Sequence, residues 1–269
     1  MKNINIIGCG VMGLQLASLF NIMGYDVNIW SRSGINLSLL ERQKKILSRL
    51  LKSQDKKGKF TIIENFDDLK NFITVECLAE DKNIKKDYFI KLSKIISKEI
   101  FTNTSSIKVS DISKNINLLH FFNPISMKII EHFNFKIYSD EANLLLQDLK
   151  DFNFTLIKVS DFTGYAFNKL LFNQISDFFF MIEKENISQE NALIILKNLN
   201  KDFDILNTID LIGVDVCLRI VENLNNSYNT YVPKIFSNCL AKKILGKKNK
   251  TSIKTIFFSE VYPSKYEKR

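Results

Sequence analysis

At 269 residues, with 45% hydrophobic and 25% charged side chains, the chain is long enough for one large domain or two smaller ones with their own cores. The net charge of +9 comes from lysines spread along the whole length without a recognition motif. That argues against nucleic acid and leaves phosphate-bearing cofactors or thioester carriers as the outlet for the charge. No apolar run reaches the ~18 residues of a membrane span, and Cys9, Cys77, Cys217 and Cys239 lack the spacing of a zinc site or a disulfide framework, so no metal and a cytoplasmic location are expected.

The first element is a strand over residues 2–7 (KNINII), followed by GCGVMG and a helical pattern, LQLASLFNIMG. The glycines set this start apart from a signal peptide. A second strand, YDVNIW, follows Gly24, so Gly8, Gly10 and Gly13 sit inside a strand–turn–helix–strand unit. This is the context a dinucleotide fingerprint requires: a tight turn, room for a pyrophosphate to approach the backbone, and close helix–strand packing. The pyrophosphate would meet the free amides of the helix N-terminus, here Gly10, Val11, Met12 and Gly13.

Further strands are expected at 60–65, 73–78, 99–104, 117–122 and 154–160, with helices at 83–98 and 141–152 between them. Such alternation argues for a doubly wound, mostly parallel sheet. From about residue 161 the pattern becomes helical. The fold class is therefore α/β, with a Rossmann-like dinucleotide-binding domain over 1–161 and an all-helical domain over 162–269 that handles substrate and dimerisation. In doubly wound sheets ligands bind at the carboxyl ends of strands. Thr104–Ser106 and His120–Asn123 both lie at such ends and can face one ligand together.

His120 opens the string HFFNP, and Glu131 follows eleven residues later at the end of an apolar stretch that reads as a loop entering a helix. Taken alone, His120 reads either as an acid–base group held by Glu131 or as a half-buried structural histidine.

Assembled in order, these motifs resemble the 3-hydroxyacyl-CoA dehydrogenases, in particular the short 3-hydroxybutyryl-CoA dehydrogenase type. GCGVMG is similar to the family's GxGxMG, and TNTSSI to its SNTSS. HFFNP is shared, TGYAFNKLL is similar to PGFIVNRLL, and IDLIGVDV to LDxxGLD. ECLAEDKNIKKDYF resembles a segment that would put Glu80 and Lys85 near the cofactor ribose and nicotinamide, with Asn103 of the SNTSS-like string beside them. The resemblance implies a dehydrogenase of 3-hydroxyacyl thioesters that works as a homodimer. In it His120 would be the acid–base residue, Glu131 would hold the other ring nitrogen, and Ser105 and Asn168 would contact the reacting oxygen.

The chain also departs from that pattern. The family has twelve residues from histidine to glutamate where this chain has eleven, which requires a one-residue deletion within PISMKI. Ser31 and Arg32 stand where an acid would bind the adenosine ribose, so NADP is favoured over NAD. MGPFEL is replaced by FDILNT at 203–208, and a terminal Gly-rich run by KNKTSIK. The stretch 34–59 is short, and its Lys44, Lys45, Lys52, Lys56 and Lys57 are phosphate-contact candidates or simply a solvated face. Two other readings stay open: a dehydrogenase of acyl groups on an acyl carrier protein in extender-unit or polyketide biosynthesis, and a non-catalytic dinucleotide-binding protein.

Overall fold

The computed structural model describes residues 2–52 and 58–259; Lys56 and Lys57 lie outside them. The chain divides into two compact units, Met1–Tyr165 and Ala166–Arg269, a few residues beyond the expected junction.

In the first unit the elements run β1 (Lys2–Ile7), α1 (Val11–Ile22), β2 (Tyr25–Trp30), α2 (Leu37–Leu51), β3 (Phe60–Ile63), β4 (Thr74–Glu76), α3 (Lys82–Ile95), β5 (Ile100–Thr102), α4 (Val109–Ile112), β6 (Asn117–Phe121), β7 (Ile129–Phe133), α5 (Asp140–Asp151) and β8 (Thr155–Lys158). The strands form one sheet in the order β3-β2-β1-β4-β5-β6-β7-β8. Pairing is parallel from β3 to β6 and again between β7 and β8, while β6 and β7 are antiparallel. The switch point between β1 and β4 lies at the carboxyl ends of the strands, where the glycine turn emerges.

Strand side chains alternate between the two faces of the sheet, and the core divides accordingly. Ile4, Ile6, Leu119 and Phe121 pack with Leu16, Phe20, Leu47 and Leu145 of the α1/α2/α5 layer. Ile7 and Leu118 join Phe89 and Leu92 of α3, Ile112 of α4 and Tyr165 on the opposite layer. Helix α1 is apolar on nearly all sides because it is buried almost completely. By contrast α2 buries only Leu40, Leu47 and Leu51, one stripe of a surface helix. Asp81 starts α3 by accepting from the amides of Asn83 and Ile84, each at 2.9 Å.

Strand β7 corrects the sequence-based expectation of a loop entering a helix around Glu131. IIEHF is short and carries two polar residues, so its local pattern does not read as a strand. Its conformation is set by pairing with β6, the strand just before it, and with the more distant β8. The connection from β6 contains a cis peptide at Asn123–Pro124 and a short helical turn over Ile125–Met127.

The second unit comprises α6 (Tyr165–Glu183, all but its first residue), α7 (Gln189–Leu199), α8 (Ile205–Ile212), α9 (Val214–Tyr228), α10 (Lys234–Ala241) and α11 (Lys254–Phe257). Phe172, Phe178, Phe179, Phe236 and Phe257 are the large side chains of its core. Buried Asp210, in the IDLIGVDV string, accepts from the Ile253 amide at 2.8 Å and so ties α8 to the start of α11.

The fingerprint glycines differ in what surrounds them. A Cβ on Gly13 would sit 1.9 Å from the Gly8 carbonyl oxygen, whereas one on Gly10 would meet nothing within 4 Å. Gly13→Ala is therefore expected to lower stability by roughly 1–3 kcal/mol or more through backbone displacement. Gly10→Ala should leave the thermal midpoint near wild type and weaken dinucleotide binding alone. Denaturation of both variants, followed by cofactor titration, measures the contrast.

Candidate active site

The carboxyl ends of β1, β2, β4, β5 and β6 converge on the region above the glycine turn. Gly10 caps α1 with backbone alone: the helix start has neither a side-chain cap nor an acidic residue in its first turn. Val11 is exposed there, and Met12 and Gly13 follow within the first turn. Free amides at a positive helix end, with open space at Gly10, fit a pyrophosphate. A cleft of about 780 Å³ adjoins the turn, lined by Cys9 and Leu14 and by residues 33–39 leading into α2.

Ser31 and Arg32 leave the end of β2, Arg32 exposed and Ser31 half-buried. The Ser31 hydroxyl lies 3.3 Å from that of Ser33 and is hydrogen-bonded to Cys9. Burial pushes the Cys9 thiol up to about 11, with the Ser31 bond opposing, so Cys9 stays a neutral thiol. The stretch WSRSGIN contains no carboxylate.

At the ends of β4 and β5 lies a buried charge network. Lys85 is 1% exposed, and its ammonium is 2.7 Å from Glu76 and 3.6 Å from Glu80. Lys85 thus differs from the expected cofactor contact: it is enclosed between two carboxylates. Glu76 accepts from Lys85 on one oxygen and from the Thr102 hydroxyl, at 2.7 Å, on the other. Glu80 accepts from the Ser105 and Ser106 amides at 2.9 and 2.8 Å and from the hydroxyls of Thr104 and Ser106 at 2.7 and 2.9 Å. Burial alone would raise the Glu80 carboxyl, but the Lys85 charge and these hydrogen bonds outweigh it and hold the group below its usual range. For Lys85, burial acts downward and is outweighed by the two carboxylates, leaving its ammonium above its usual value.

Asn103 couples this turn to the next strand: its amide donates to the Glu76 carbonyl and its side-chain oxygen accepts from the Phe121 amide, both at 2.9 Å. One residue before Phe121 is His120, 5% exposed. In the antiparallel β6–β7 register His120 faces Glu131 directly. Directly opposed residues present their side chains on one face at close range, and His120 Nδ1 lies 2.9 Å from Glu131 Oε2, with Glu131 1% exposed. The eleven-residue spacing keeps the two directly opposed, whereas a slip of one residue within the strands would turn Glu131 to the other face.

Ser105 sits half-buried on the turn that Glu80 holds. Asn168 is buried on α6, in the second unit. Sequence reasoning assigned no role to Glu76 or Gln15. Glu76 opens the ECLAEDKNIKKDYF segment, in which only Glu80 and Lys85 carry an expected role. Gln15, on α1, donates to Asn123 Oδ1 and accepts from the Ile125 amide, both at 3.3 Å, which links the glycine-turn helix to the HFFNP loop.

Comparison with known proteins gives this arrangement its class. Residues 3–143, more than half of the chain, match the family described as "3-hydroxyacyl-CoA dehydrogenase, NAD binding domain". The chain belongs to the 3-hydroxyacyl-CoA dehydrogenase family, a family of oxidoreductases, and carries its NAD-binding domain. It is similar to the 3-hydroxybutyryl-CoA dehydrogenase of Clostridioides difficile, 28% identical over 244 residues that cover 83% of this chain and 87% of that one. A Deinococcus radiodurans protein named "Probable 3-hydroxybutyryl-CoA dehydrogenase" is 26% identical over 271 residues, covering 91% of this chain and 96% of that protein. In fold it is similar to FadB2 of M. tuberculosis, with a TM-score of 0.79, 20% identity, and coverage of 94% of this chain and 98% of that one. The (S)-3-hydroxybutyryl-CoA dehydrogenase of Ralstonia eutropha gives a TM-score of 0.76 at 22% identity with the same coverage. No helix among the described residues is long and apolar enough to cross a membrane.

Because the depressed carboxyl of Glu80 binds protons more weakly folded than unfolded, its contribution to stability is complete above the unfolded value of about 4.3 and is lost as pH falls through the lower, folded value. Lys85→Met removes the counter-charge from buried Glu76 and should cost about 3–5 kcal/mol. Denaturant titration at neutral pH and at a series of acid pH values is expected to show both the large loss and a changed acid limb in the variant.

Proposed function

We propose that the protein interconverts a 3-hydroxyacyl thioester and its 3-oxoacyl form, with His120 as the acid–base residue and NADP(H) as the preferred cofactor. The observation that carries this reading is the His120–Glu131 pair, hydrogen-bonded across a strand register beside the Ser105 turn. With Nδ1–H donated to Glu131, Nε2 keeps the lone pair that accepts the proton of the substrate hydroxyl. Glu131 holds the tautomer and stabilises the imidazolium that forms. The bound nicotinamide supplies the acceptor for the hydride leaving the same carbon. The Ser105 hydroxyl, 3.4 Å from Glu80 in the resting structure, turns to donate to the reacting oxygen. Glu80 acts one step back, by clamping the amides on either side of that serine. A non-catalytic dinucleotide-binding protein would have no use for a buried acid–histidine pair, which favours the enzyme reading.

The family resemblance and the named relatives support a CoA thioester as substrate. On α2, Arg42, Lys45 and Arg49 are exposed among Leu39, Ile46 and Leu50, a basic and apolar face that suits the phosphates of CoA or the acidic surface of a carrier protein equally. Offering the same acyl group on CoA and on an acyl carrier protein separates the two. His120→Gln should leave the fold and cofactor affinity nearly unchanged and cut turnover by roughly two to four orders of magnitude. Wild-type turnover in that variant would sink the mechanism.

The cofactor preference rests on Ser31 and Arg32. A guanidinium can grip a 2′-phosphate bidentately where a carboxylate would repel it, and a charge-assisted bond of this kind is worth about 1.5–3 kcal/mol. Calorimetry is expected to give tighter binding of NADP(H) than of NAD(H) in the wild type, by about ten- to a hundredfold. Ser31→Asp combined with Arg32→Ala should reverse the order. Equal affinities, or tighter NAD(H), in the wild type would remove Arg32 from the site.

A further inference from the structure

The segment Asp161–Tyr165 closes the first unit, and the chemistry assigned above uses none of it. Its bonds run to the turn that carries Ser105 and to the start of α4, which follows that turn. Asp161 accepts from the amides of Val109 and Ser110, at 2.7 and 3.0 Å. The Gly164 amide donates to the Ser106 carbonyl at 3.1 Å, and the Tyr165 hydroxyl to the Ile107 carbonyl at 2.6 Å. The Ser105 turn is therefore held by Glu80 and, independently, by this segment.

Tyr165 is fully buried, and its ring centroid lies 6.1 Å from that of His120, inclined by 38°. Phe122 brings a second ring to 5.3 Å from the imidazole. The backbone at Tyr165 has a φ of 46°, in the left-handed region that a bulky side chain rarely adopts. Such conformations persist where the surroundings over-determine them, and here a buried ring and an anchored hydroxyl do so together. Burial, and after it the negative charges of Glu80, Asp161 and Glu131, keep the phenol far above its usual range, so it remains a neutral donor. TGYAFNKLL has tyrosine where the similar string PGFIVNRLL has phenylalanine, so the hydroxyl is what separates the two strings at this position.

We propose that Tyr165 is a positioning residue for His120: its ring walls the imidazole, and its hydroxyl fastens that wall to the Ser105 turn, so that the proton acceptor and the donor to the reacting oxygen are held as one body. The role rests on the reading of His120 as the acid–base group. The Glu131 bond fixes one ring nitrogen but leaves the imidazole able to tilt about that bond, and a packed aromatic face removes this freedom. A tilt displaces Nε2, the atom that must meet the substrate hydroxyl.

The chain has only two histidines, which makes the test direct. In the 15N-labelled protein the imidazole resonances of His120 report on the site. His132, hydrogen-bonded to Tyr138 at 3.3 Å, serves as the internal control. In Tyr165→Phe the His120 resonances are expected to shift or broaden while those of His132 stay in place. Turnover should fall about three- to tenfold, the scale of one neutral hydrogen bond, at unchanged cofactor affinity and with a modestly lowered thermal midpoint, since the buried Ile107 carbonyl loses its donor. Tyr165→Leu, which removes the wall, should cost about a hundredfold in turnover, as expected for a reacting group displaced by about 1 Å. If Tyr165→Leu fails to fold, the phenylalanine variant decides alone. Superimposable His120 resonances together with wild-type turnover in Tyr165→Phe would overturn the proposal. A wild type inactive on every 3-hydroxyacyl thioester would count against the proposed function instead, and the His120 resonances of Tyr165→Phe would still decide the positioning role.

Discussion

A single buried ammonium organises the ligand-binding edge of the first unit. Lys85, on α3, is buried between Glu76 and Glu80 at 1% exposure. Removing a charge from water is costly unless it is paired and its hydrogen bonds are satisfied, so the position of Lys85 dictates that of both carboxylates. Glu76 is thereby locked to β5 through Thr102, and Glu80 is left ionised to clamp the amides of the turn that follows. Two strand ends, of β4 and β5, and the first turn of α3 are fixed relative to one another by charges that cannot be moved separately.

The same logic of constraint reaches His120 by another route. Asn103 fastens the β5 end to β6, and the antiparallel register of β6 with β7 then sets the acid–histidine pair. Strand pairing is a stricter device than a loop for this purpose. Because side chains alternate, the register admits Glu131 at His120 or excludes it altogether. The connection through Asn123–Pro124 and Ile125–Met127 lies outside the ladder, so its length can vary without turning Glu131 away.

Alternation also explains why His120 has aromatic neighbours. Leu119 and Phe121 point into the α1/α2/α5 layer, while Leu118 and His120 point to the opposite one, where Tyr165 closes the core. A histidine on an apolar face is ordinarily a structural residue. What distinguishes this one is the carboxylate brought to its Nδ1 by the neighbouring antiparallel strand and the serine turn held by a second buried network.

The local sequence was sufficient for the parts of the molecule governed by short-range rules. Glycines at Gly8, Gly10 and Gly13 between an apolar strand and an apolar helix leave few alternatives to a phosphate-binding turn. The alternation of strands and helices to residue 158, followed by helices alone, specifies the α/β class and the helical second unit. That Ser31 and Arg32, and no acid, follow β2 is likewise readable. Tertiary structure alone decided the rest. IIEHF became a strand because β6 and β8 offered hydrogen-bond partners that no local pattern announces. Lys85 turned inward because two acids from β4 and its following loop compensate its charge, although a lysine in a charged helix reads as exposed. Glu76 and Tyr165 owe their places to hydrogen bonds with Thr102 and Ile107, far along the chain. Periodicity records which face of an element is apolar, but the partner of a buried polar group is chosen only when remote segments have been brought together.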